Sequence, residues 1–176
     1  SYYVYEQEFR LPAGGTACRR GFFAAVKIED FSEGGIRAHE HTFDGPKADR
    51  FHLTESTHAN LSPIFCLFDE KAGRVDRLLH DGIHGQDPVE TTIGGIKHRL
   101  WVITNAEICG EITHLMGHRT LFIADGHQRY ETGQAYRKHM HDVDTNPDGN
   151  QPYDYTLMYL TNIHDHGMVI LPPHRV

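Results

Sequence analysis

The chain is defined first by what it has little of. Hydrophobic residues make up 39% of its 176 positions, yet no uninterrupted apolar run approaches the roughly 18 residues of a membrane span, so no membrane partner is expected. Cysteine is scarce. Cys18, Cys66 and Cys109 contain no CxxC pair, and an odd number closes no disulfide framework. Reduced thiols and a cytoplasmic location are therefore expected. Basic charge is in the minority, 17 Lys and Arg against 24 Asp and Glu for a net −7 with histidine neutral. With no basic tail at either end, nucleic acid is not an expected partner. Internal repeats and low-complexity tracts are missing from the sequence, and no charged-then-apolar leader is expected before the first strand. A chain of this length buries roughly 70% of its unfolded surface as one globular domain, expected to span 1–176.

Its pattern mixes strands and helices without a regular βαβ rhythm, which predicts an α+β fold with a mixed sheet. Tyr2–Phe9 alternates as a ribbon and Pro12–Gly15 turns it. Strands are predicted over Gly21–Glu29 and Ile36–Thr42, a helix over Lys47–Asn60, a buried strand over Ile64–Phe68 and a helix near Arg74–His80. Gly94-Gly95 joins Val89–Ile93 to Ile96–Val102 as a hairpin. Ala106–Met116 reads as a helix, Thr120–Ala124 as a strand and Gln128–His141 as a helix. Asp142–Gln151 is rich in turn formers and predicted mobile. Tyr153–Ile163 and Met168–Leu171 close the chain as strands. Trp101, Phe65, Phe68 and Phe122 are expected in the core, with Cys66 as a small buried hydrophobe.

The stretch Leu121-Phe122-Ile123-Ala124-Asp125-Gly126-His127-Gln128-Arg129-Tyr130 carries the main chemical signal. An apolar strand runs into a glycine, a histidine and an arginine that open a helix. Helix starts leave N–H groups unpaired and carry partial positive charge, and a guanidinium adds a planar fork for phosphate. Gly126 allows close backbone approach, Arg129 is the candidate clamp, and His127 a donor or general acid. Asp125 is a candidate to orient His127 or hold magnesium, and Tyr130 to stack or donate its hydroxyl. The same spacing also fits an ordinary strand-to-helix turn capped by Asp125.

A second constellation is His39-Glu40-His41-Thr42, followed by Gly45-Pro46-Lys47. On a strand, His39 and His41 share a face and could ligate a transition metal for a hydrolase, while Glu40 on the other face is a candidate proton acceptor. A solvated polar edge strand is the plainer alternative. Lys47 can reach a phosphate from a helix start. Pro172-Pro173-His174-Arg175 places His174 and Arg175 as further pocket candidates. The dense histidine clusters at 139–141 and 164–166 lack any HExxH context and read as surface residues.

These residues carry a resemblance. The Asp125-Gly126-His127-Gln128-Arg129-Tyr130-Glu131-Thr132 stretch resembles the uncharacterised family known as domain of unknown function 1015, in which a second histidine stands where this chain has Gln128. Arg19–Phe22, His39–Thr42 with Gly45–Arg50, Ala59–Phe65, His98–Trp101 and Ile170–Arg175 resemble the same family. Its members are longer at both ends, and the resemblance implies that 1–176 is expected to be a fragment of a longer family chain. The Asp-Gly-His-x-Arg loop is similar to the phosphate loop of free-serine kinases and, more distantly, of the ParB and sulfiredoxin group. That likeness implies a ParB/sulfiredoxin-like arrangement around the loop, a nucleotide (ATP or ADP) with magnesium, and nucleotide-dependent phosphotransfer to a small hydroxylated metabolite, with Glu40 as base. A nucleotide- or phosphometabolite-binding sensor without turnover uses the same loop.

Overall fold

The structure, a computed structural model, describes residues 1–39 and 45–169, and for 45–47 the backbone alone. Its strands are β1 (Tyr2–Arg10), β2 (Thr16–Lys27), β3 (Ile36–Arg37), β4 (Ile64–Phe68), β5 (Val89–Ile93), β6 (Ile96–Ile103), β7 (Leu121–Asp125) and β8 (Tyr155–Asn162). Its helices are α1 (Gly45–Thr57), α2 (Arg74–Ile83), α3 (Ala106–Met116) and α4 (His127–Val143). The strands form one mixed sheet in the order β3-β7-β4-β8-β2-β1-β6-β5, and the fold is α+β. No helix among the described residues is long and apolar enough to cross a membrane.

The chain divides into two compact units. In the first (1–22, 69–117 and 161 onward), β6 pairs antiparallel with both β1 and β5. The β5–β6 hairpin closes at Ile93↔Ile96, with Gly94 and Gly95 both at positive φ (58° and 80°). That is the backbone a two-residue turn needs to match strand twist, and glycine adopts it without a Cβ clash. Val75, Leu79 and Ile83 of α2 recur every fourth residue and are buried. The buried Glu70 carboxylate caps that helix, its Oε2 accepting from the N–H groups of Arg74 (2.5 Å) and Val75 (3.2 Å).

In the second unit (23–68 and 118–160), β7 pairs parallel with β3 and antiparallel with β4, with a bulge at Phe65/Cys66. Ile64, Cys66, Phe68, Leu121, Ile123 and Met158 are buried. Burial pushes the Cys66 thiol up to about 12, and its Sγ lies 3.5 Å from Met158 Sδ, so it is a core hydrophobe.

Several boundaries differ from the sequence pattern for identifiable reasons. β2 begins five residues before the predicted Gly21, because its polar start is held by cross-strand pairs. Arg20 Nη2 lies 2.5 Å from Glu6 Oε1, and Arg19 donates to Gln7. β3 ends at Arg37, and the His39 N–H leaves the ladder for a side chain of α4. The predicted alternation of faces along 39–41 therefore does not apply at His39, and Glu40 and His41 lie outside the described residues. Phe122, expected in the core, is exposed, since its neighbours Leu121 and Ile123 take the inward positions of β7. Met168 and Val169 are in no strand, and the rest of that predicted strand lies outside the described residues.

Candidate functional site

The predicted anion loop sits where β7 hands over to α4, in the second unit. Asp125 ends the strand and Gly126, not Asp125, is the N-cap of α4, with φ 99° and no side chain capping it. A Cβ at Gly126 would stand 2.8–3.0 Å from the Arg129 guanidinium. Glycine is thus required twice, for the left-handed backbone and for the guanidinium folded over it.

Arg129 is already engaged. Its Nη1 donates to Ser62 Oγ (2.6 Å) and to the Pro63 carbonyl, and its Nη2 donates to Asp125 Oδ2 (2.6 Å). Its side chain is 20% exposed and that of Asp125 is 76% exposed. The fork ties the loop before β4 to the end of β7, and an anion at its face competes with the Asp125 carboxylate.

His127 is buried, 4% exposed, and its Nε2 accepts from the His39 N–H at 3.3 Å. The two imidazoles meet edge to face at 4.5 Å between centroids. Residues 88 apart in sequence thus share one contact. Accepting that bond puts the Nε2 lone pair toward His39, so the neutral ring carries its proton on Nδ1. In this tautomer Nδ1–H is the atom that serves the hydrogen-bond-donor role expected of His127, whereas a general-acid role requires the imidazolium.

Tyr130 has a different place from the one its spacing implies. It is 0% exposed, its hydroxyl donates to the Glu29 carbonyl (2.8 Å) and accepts from the Glu29 N–H (3.0 Å), and its ring packs on Phe31. Burial, reinforced by the Glu29 carboxylate, pushes its phenol up to about 12. It pins β2's exit to α4 and is not placed to touch a phosphate.

What the sequence did not single out is a cavity of about 390 Å³ against α4. Arg129, Thr132, Gly133, Tyr136 and Met140 line it at helical spacing, along one face. Arg50, Leu53 and Thr54 of α1 line it too, together with Ala59–Ser62 and residues 151–153. His58 ends α1 in the left-handed region (φ 49°), its N–H returning to the Thr54 carbonyl (2.8 Å). This position usually takes glycine, and here it brings an imidazole, Nδ1 2.8 Å from the Tyr136 hydroxyl, to the cavity wall. The signal in the sequence was the Arg129/Thr132/Gly133/Tyr136/Met140 spacing, visible only once the α4 register is known.

The segment predicted mobile begins as the last turn of α4 and continues in turns. The N–H groups of Asn146 and Asn150 donate to Asp144 and Asp148, and the Tyr153 hydroxyl donates to Asp144 (2.5 Å). Among the described residues, no three His, Cys, Asp or Glu side chains converge as a metal site. The side chain of Lys47, and all of Glu40, His174 and Arg175, lie outside the described residues.

The profile of the family described as Protein of unknown function (DUF1015) matches residues 1–176. The chain belongs to this family. No curated protein matches this DUF1015 chain, and no solved structure matches it. The loop geometry, the His39–His127 contact and the α4 cavity are therefore the physical basis for reading this DUF1015 member's chemistry.

Proposed function

We propose that this DUF1015 chain is a nucleotide-dependent phosphotransferase acting on a small hydroxylated metabolite. The supporting observation is the start of α4, an uncapped helix N-terminus whose Arg129 lines a cavity of about 390 Å³ while His127 touches His39, the residue before Glu40. An uncapped N-terminus and a guanidinium favour the charge spread over a transferring phosphoryl group. In the proposed step the acceptor hydroxyl oxygen forms a new P–O bond as the P–O bond to the departing nucleotide breaks. The hydroxyl proton passes to the Glu40 carboxylate. Arg129 and the α4 N–H groups hold the phosphoryl oxygens, and His127 donates from Nδ1. Magnesium would sit on the nucleotide phosphates with Asp125 as its candidate protein ligand, supplying charge neutralisation.

A second reading, binding of a nucleotide or phosphometabolite without turnover, is favoured by one observation. The Arg129 fork already spends N–H groups on Asp125, Ser62 and Pro63, and a guanidinium anchored in this way suits fixed binding more than following a phosphoryl group in transfer. Incubation with ATP or ADP, magnesium and a panel of hydroxylated metabolites, read by mass spectrometry, separates the two. A phosphorylated product is expected, and nucleotide binding with no product across the panel would support the second reading.

A further inference from the structure

We propose that the α4 cavity is the nucleoside pocket of this site, holding the base and sugar of a nucleotide among Tyr136, Tyr153 and Tyr155, with its phosphates directed to Arg50 and Arg129. The inference deepens the phosphotransfer reading and rests on it for the identity of the ligand as a nucleotide.

Charge is the first observation. In a chain with seven more acidic than basic side chains, the described residues that line the cavity include no Asp or Glu, but two arginines and a histidine. The Arg50 carbonyl accepts from Thr54 Oγ1 (2.9 Å), but its exposed guanidinium has no hydrogen-bond or ion-pair partner among the described residues, whereas that of Arg129 is held by Asp125. A guanidinium beside described lining residues that carry no carboxylate favours an anion. The rings are the second observation. The Tyr153 and Tyr155 hydroxyls are spent on Asp144 and Asn150 (3.0 Å), and that of Tyr136 on His58. The three rings therefore line the cavity with their hydroxyls already engaged, beside Leu53, Leu61 and Met140. A small aliphatic anion uses the arginines and wastes the rings, while a base with phosphates uses both. Size is the third. About 390 Å³ lies at the low end of small-molecule sites, roughly 300–1,000 Å³, enough for one mononucleotide and too little for a polymer. The left-handed His58, held by Tyr136, is a backbone cost of the kind found where a side chain must be presented to a ligand.

Calorimetric titration of the chain with ADP and with inorganic pyrophosphate, with and without magnesium, tests this. Tyr153→Leu should weaken ADP by about 5- to 150-fold, the range of one base–aromatic stack, and leave pyrophosphate unchanged. Tyr153→Phe, which keeps the ring and loses only the bond to Asp144, should retain ADP. Arg50→Ala should weaken both ligands. Circular dichroism establishes that each variant is folded, and Tyr155→Leu replaces Tyr153→Leu if the latter is not. Unchanged ADP affinity in the Tyr and Arg50 variants, with loss in Arg129→Ala, would place the nucleotide elsewhere and overturn the inference while leaving phosphotransfer standing. Failure of the wild-type chain to bind ADP at millimolar concentration would also overturn it. Variant-sensitive ADP binding with no product across the metabolite panel would uphold the pocket and remove the transferase reading.

Discussion

Replacing Tyr130 with Phe should cost stability and leave ligand affinity intact. The ring stays, with its packing on Phe31 at 5.2 Å between centroids, so the change isolates the hydroxyl. That hydroxyl donates to the Glu29 carbonyl and accepts from the Glu29 N–H. The carbonyl keeps a second donor, Gln134 Nε2 at 2.8 Å, but the N–H is left without its acceptor. A hydrogen bond contributes a net of about 1 kcal/mol, and an orphaned buried donor costs about 1–3. The expected loss is about 2 kcal/mol, or about 4–8 °C in Tm for a chain of this size. Urea unfolding followed by far-UV circular dichroism should show a lower midpoint with an unchanged slope. A stability change below about 0.5 kcal/mol, accompanied by lost phosphate or nucleotide affinity, would refute the reasoning and make Tyr130 a ligand contact.

The same phenol predicts alkaline sensitivity. Burial holds it near 12 in the folded chain against 10.0 when exposed, so its contribution is complete below pH 10 and declines as the unfolded state alone releases its proton, by up to about 1.4 kcal/mol per pH unit. Thermal melts between pH 9 and about 12 should show this decline in wild type and a shallower one in Tyr130→Phe; parallel profiles would contradict it. Asp154 is buried, which works to raise its carboxyl, but hydrogen bonds from His141, the Gln151 N–H and Arg137 outweigh burial and hold it below the ordinary range. Its contribution is therefore present above about pH 3.9 and lost as pH falls through the lowered folded value. Asp154→Ala should cost about 3 kcal/mol and flatten the acid limb of a stability–pH curve, and a variant with wild-type acid sensitivity would show that the network is idle. Gly126→Ala meets both a left-handed φ and the Arg129 guanidinium; a loss of roughly 1–2 kcal/mol from backbone strain, with weaker phosphate binding, is expected from urea melts and calorimetry, and a neutral variant would contradict the close approach.

The sequence was readable where one local rule decided the structure. The Gly94-Gly95 turn fixed the β5–β6 hairpin, since two adjacent positive-φ residues admit little else. The α3 helix matched its predicted limits because Asn105 supplies a cap, its Oδ1 accepting from the Ile108 N–H at 3.0 Å. The turn from β7 into α4 was legible for the same reason, as the glycine marks it. What escaped depends on partners distant in sequence. Nothing beside Arg129 reveals that Ser62 and Pro63 receive its fork, and nothing beside Tyr130 reveals Glu29. The polar start of β2 is strand because Glu6 and Gln7 lie opposite, a fact of pairing that no hydrophobic period encodes. The cavity residues of α1 and of 151–156 became a group only when these segments met α4.

The proposed reaction is phosphoryl transfer with Glu40 as base. It is tested most directly by measuring, on the same samples, nucleotide affinity and the rate of phosphate transfer from isotopically labelled nucleotide in wild type and Glu40→Gln. Glu40→Gln should keep its nucleotide affinity with a transfer rate lowered by about 10²–10⁴-fold, the range of a lost general base. Transfer at the wild-type rate in Glu40→Gln, or a wild-type chain that neither binds nucleotide nor transfers phosphate, would contradict it.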